Sequence, residues 1–144
     1  MNKKKIIILS VIAVIFLVSC ALIGKIDNAE KNYTESLSKV ETEFQKFSET
    51  IDEIIAGEDV SFEDFTGQYT QLRIYLSKWN RLYNDLRIWD HNANCEMTSA
   101  GEVYMAIDDL YFSVVHTYYI KDIAEDRAVI QDACDDIKGA LEVF

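Results

Sequence analysis

No proline occurs anywhere in this chain, and beyond residue 25 only Gly57, Gly67, Gly101 and Gly139 relieve it of side chains. Strands and hairpins need such punctuation, so its scarcity leaves helices as the economical way to order the backbone. The apolar residues agree. Tyr33, Leu37, Val40, Phe44, Phe47, Ile51 and Ile54 alternate spacings of four and three, which sets them on one stripe of a helix over about 29–56. Gly57 suits the left-handed position just past its end.

The same pattern runs from Phe62 through Phe65, Tyr69, Leu72, Leu76, Trp79 and Tyr83 to Leu86, and predicts a second helix over about 62–89. Ser61 followed by Asp64 offers it an N-cap. After the polar stretch 90–98, Ser99 and Glu102 have the spacing of a capping box, and Val103, Ile107, Leu110 and Val114 carry the next stripe. On one straight helix, Ile130, Cys134, Ile137 and Leu141 would lie on the opposite face. A break near 119–121 removes that conflict, with Asp122 and Glu125 as a further capping pair, giving helices over about 99–120 and 123–143. The fold class expected is all-α: an antiparallel up-down-up-down four-helix bundle over 26–144, with three long helices, the last one bent, as the fallback.

The first 25 residues obey different rules. Lys3, Lys4 and Lys5 precede an almost unbroken apolar run from Ile6 to Ile23. A positive leading end and an apolar stretch form a secretory or membrane address, with the following residues outside. Within the run, Leu17, Val18, Ser19 and Cys20 resemble the lipobox of bacterial lipoproteins. That resemblance covers these first residues alone. It implies lipidation of the Cys20 sulfur and cleavage just before it. The competing expectation is an uncleaved anchor. No polar tether follows Cys20, and 18 residues at 1.5 Å each span about 27 Å, near the hydrocarbon thickness.

Four of the 14 basic residues and none of the 25 acidic ones fall in residues 1–25, so the remainder carries a net charge of −15. Such a surface repels nucleic acid and anionic lipid alike. About 119 residues make one domain with a modest core.

Candidate sites are sparse. Asp90, Asn92, Asn94 and Glu102 have an alternate spacing like the start of a calcium loop. The match fails where glycine and a bidentate glutamate belong, since Cys95 and Gly101 stand there. His91 and Cys95 lack a second ligand pair for zinc, and His116 shares a helical face with Asp109 and Ser113. Cys95 and Cys134 form a possible disulfide, although a hairpin centred near 120 sets them about 18 Å apart along the helices. Tyr104, Tyr111 and Tyr118 recur every seven residues as a core boundary. Ile51, Ile54, Ile55, Val60, Phe62 and Phe65 cluster where the first hairpin would project past the other helices, and are the expected contact site for a partner. No catalytic constellation and no cofactor motif emerge. The function these residues suggest is a noncatalytic protein-interaction module on the outer face of a bacterial cytoplasmic membrane, partnered by the membrane and by another envelope protein. The alternative is a small-ligand or calcium-binding envelope lipoprotein using 90–102.

Overall fold

The computed structural model describes the backbone of residues 3–89 and 99–144, with side chains over 14–86, 99–142 and 144. Among these residues the chain is all-α. It comprises α1 (Lys3–Ala56), α2 (Phe62–Trp89), α3 (Ala100–Val114), a π-helical turn (Val115–Ile120) and α4 (Arg127–Val143). The chain divides into two units, Met1–Asn32 and Tyr33–Phe144.

In the first unit, α1 begins at Lys3 rather than near residue 29. No proline or glycine pair interrupts the sequence before Tyr33, so nothing stops the helix there. Val14, Ile15, Phe16, Leu17 and Val18 are each more than half exposed, and Leu22, Ile23 and Ile26 are exposed as well. Among the described residues no helix is long and apolar enough to cross a membrane, and the membrane segment expected over 1–25 is not found among them. The side chains of 6–13, the first part of the expected apolar run, lie outside the described residues.

The second unit is built from deliberate helix ends. Gly57, at φ 89°, closes α1. The Gly57 N–H donates to the Ile54 carbonyl at 3.1 Å and the Glu58 N–H to the Glu53 carbonyl at 3.0 Å, the paired bonds of a Schellman motif. At the start of α2, Ser61 Oγ accepts from the Asp64 N–H at 3.0 Å. Its hydroxyl donates back to Asp64 Oδ2 at 2.6 Å. Ser99 and Glu102 cap α3 reciprocally. In place of the expected cap at Asp122, Asp126 opens α4 by accepting from the Ala128 N–H at 3.1 Å. Asp122 is engaged instead by His116 Nδ1 at 2.8 Å, so the fourth helix starts four residues later than expected.

Between α3 and α4 the backbone first widens into the π turn and then reverses at Lys121, whose φ of 61° is left-handed. A π turn adds one residue to a helical turn and rotates whatever follows. The sideways jump of the apolar stripe after Val114 is thereby accommodated.

One core runs through the second unit. Val40, Phe44, Phe47 and Ile51 of α1 meet Phe65, Leu72, Leu76 and Trp79 of α2, with Val103, Ile107, Leu110 and Val114 of α3 and Ile130, Cys134, Ile137 and Leu141 of α4. Aromatic rings mark its two ends. At one, Phe47 stacks on Phe65 with centroids 5.1 Å apart, and Phe65 stacks on Tyr111 at 5.5 Å. At the other, Phe144 meets the Trp79 ring edge-on at 5.0 Å, with Tyr33 6.4 Å from Trp79.

Candidate interaction surface

The cluster expected to face a partner is mostly core. Ile51, Ile54, Ile55 and Phe65 are buried, Val60 is half-buried, and Phe62 alone of the six is exposed. The expected projecting hairpin is not left bare, because the π turn carries α3 far enough to cover it. Tyr119 O–H donates to the Val60 carbonyl at 3.0 Å, tying the 57–61 connection to the π turn. Its ring packs on Phe65 at 5.8 Å and edge-on against Phe62 at 5.3 Å.

What remains apolar and exposed at this end is Phe62 with Ile120 and Ile123, the last two on either side of the left-handed Lys121. Sequence periodicity hid them. Ile120 and Ile123 read as the final and first residues of consecutive helices, whereas they flank a backbone reversal and belong to no regular stripe.

Carboxylates crowd the same end. Glu58, Asp59, Glu63 and Asp64 accompany Phe62, and Asp122, Glu125 and Asp126 accompany Ile123, against Lys121 and Arg127. Their field is felt at the ring between them. Burial first, and then the charges of Asp59 and Asp64, push the Tyr119 phenol above its ordinary value of 10.

A second constellation joins α2 to α3. Tyr69 O–H donates to Asp108 Oδ1 at 2.6 Å, and Arg73 Nε–H donates to the Tyr104 hydroxyl at 2.6 Å. The guanidinium sits 5.4 Å above the Tyr104 ring centroid and 3.5 Å from Asp108 Oδ2. Thr66 and Tyr111 share a hydroxyl hydrogen bond at 3.2 Å. Tyr69 and Tyr111 lie nearly face to face, 3.8 Å apart and 6° from parallel. Burial, then the bond to Asp108, raises the Tyr69 phenol well above 10. A shallow groove of about 440 Å³ lies alongside, lined by Tyr69, Thr70, Arg73, Ile74, Ser77 and Tyr104. All three heptad tyrosines pack in or against the core: Tyr111 is buried against α2, Tyr104 and Tyr118 are half-buried, and Tyr104 also holds Arg73.

The remaining candidates are placed as follows. Asp90, Asn92 and Asn94 lie outside the described residues, as do His91 and Cys95. Glu102 spends a carboxylate oxygen on the Ser99 N–H at 2.8 Å. Among the described residues no group of three His, Cys, Asp or Glu side chains is placed to hold a metal. Cys134 is a buried free thiol whose pKa burial, then Asp52, pushes up to about 11. Cys20 is exposed, and Ser19 beside it donates its hydroxyl to the Ile15 carbonyl at 2.9 Å. His116 pairs with Asp122 and not with Asp109.

No protein-family model matches the chain, and no curated protein and no solved structure is significantly similar to it. The class defined, among the described residues, is that of an all-α protein.

Proposed function

We propose that the chain is a membrane-anchored, noncatalytic protein-interaction module on the outer face of a bacterial cytoplasmic membrane. One observation carries the anchor. Val14 to Val18 are five successive, exposed, bulky positions, and at about 100° per residue they sweep the whole circumference of a helix. A helix apolar all round needs an apolar surrounding, and the run from Ile6 to Ile23, broken only by Ser10 and Ser19, is the length of a hydrocarbon core. Lys3 to Lys5 on the leading side favour a cytoplasmic start.

The second unit is, in this proposal, an antiparallel up-down-up-down four-helix bundle. Pairs whose numbers run in opposite directions support it. Tyr33 meets Trp79 while Phe47 meets Phe65. Arg73 meets Tyr104, Tyr69 meets Asp108 and Thr66 meets Tyr111.

The test is extraction of the full chain from a bacterial membrane fraction, followed by its intact mass. Retention in the pellet under alkaline carbonate supports the anchor, and release into the supernatant removes it. The mass then decides between a chain cleaved before a lipidated Cys20 and an intact helix.

A further inference from the structure

We infer that the end of the second unit formed by the 57–62 and 119–126 segments docks a basic protein segment that also carries apolar side chains. This deepens the proposed function and rests on its reading of the chain as an interaction module.

Phe62, Ile120 and Ile123 are about half exposed, at 49%, 55% and 53%. Single exposed apolar residues are ordinary, but these belong to segments that the fold has tied together through the Tyr119 bond to Val60 and the Tyr119 ring on Phe62. The core does not require them. Ile123 sits on irregular backbone two residues after Lys121, whose left-handed φ of 61° a residue other than glycine adopts only at a cost. The fold holds the apolar residues outward instead of turning them in.

Charge chooses the occupant. Seven carboxylates and two cations share this end. Anionic lipid and nucleic acid are repelled. A second copy of the chain would set the same carboxylates face to face. A segment rich in lysine or arginine with apolar side chains between them satisfies both the rim and the floor, and its approach is accelerated by the field. Ile74 on α2 and Met105 and Phe112 on α3 are exposed as well, but the cation beside Ile74, Arg73, is already held by Asp108 and Tyr104.

The test uses the full chain in phosphatidylcholine nanodiscs, with empty discs as the baseline. The probes are three designed 15-residue peptides: leucine with lysine, serine with lysine, and leucine with glutamate. The leucine–lysine peptide is expected to bind above the empty-disc baseline and the other two at least about tenfold more weakly. Changing Ile120→Ser with Ile123→Ser weakens it about tenfold or more, the size of a lost contact centre. Glu58→Lys with Asp59→Lys, which alters loop side chains outside the core, does the same and flattens the salt dependence. Ile74→Ser with Met105→Ser leaves binding within about twofold. Equal losses from the patch and control pairs, or binding no greater than that of empty discs, overturns the docking surface. If the chain is released from membranes while the peptide still binds in that pattern, the anchor falls and the docking surface stands. Absent binding with the chain still membrane-held does the reverse.

Discussion

Phe62 and Phe65 are the same side chain three positions apart on one helix, and the structure assigns them opposite roles. Phe65 is fully buried, with Phe47, Tyr111 and Tyr119 within 5.1, 5.5 and 5.8 Å of its ring centroid. Truncating such a ring removes its transfer free energy and leaves a cavity that four packed elements cannot close, so Phe65→Ala should cost about 4 kcal/mol. The second unit spans 112 residues by its bounds. At ~2.1 cal/mol/K per residue its unfolding entropy is near 0.24 kcal/mol/K, so the melting temperature should fall by about 17 °C. Phe62 is half exposed and keeps one edge-on ring contact, so Phe62→Ala should cost about 1 kcal/mol or less and shift the melt by about 4 °C. Thermal melts by circular dichroism on the two full-length variants decide the matter. Equal shifts would refute the division of this end into core and surface, and with it the premise of the docking site.

Three further outcomes follow from named groups. Asp126→Ala should destabilise α4 by about 1 kcal/mol in denaturant titration, and Asp122→Ala by less, because Asp126 makes the cap and Asp122 an exposed pair with His116; the opposite order would restore the cap to Asp122. In a Cys95→Ser chain at pH 8, Cys134 should resist maleimide until the fold opens, since with a pKa near 11 about one thiol in a thousand is thiolate; labelling as fast as an unmodified Cys20 would contradict its burial. Stability should be insensitive to Tyr69 below pH 10 and fall as pH rises beyond it, because the unfolded phenol ionises there first while the folded one keeps its proton. Tyr69→Phe should flatten that fall, and an unchanged slope between pH 10 and 11 would show that the phenol is not held in its neutral form.

The helical class was legible because each stripe obeys one period and because the caps at Ser61 and Ser99 are local chemistry. Gly57 was legible for the same reason. The α4 cap was not: Asp122 and Asp126 are equally good capping residues, and the pairing of Asp122 with His116 six residues back separates them. The burial of most of the contact cluster turns on a longer-range point. Whether Ile54 and Phe65 are covered depends on how far α3 reaches, and that reach comes from a π turn with no periodic signature, ending on a lysine where glycine would have announced a left-handed residue. The Arg73 network was invisible because its members are 31 to 45 residues apart and each reads locally as an ordinary surface or boundary residue.

The near-parallel pair Tyr69 and Tyr111 has an optical consequence. Two phenols 3.8 Å apart and 6° from parallel couple their electronic transitions, and the coupling weakens steeply as the rings separate. The near-ultraviolet dichroism of the chain should therefore contain a tyrosine component from the seam between α2 and α3, reduced in Tyr111→Phe. Docking at the neighbouring end, one ring away through Phe65, that loosened this seam would be seen without any label, as a change in colour rather than in mass or charge.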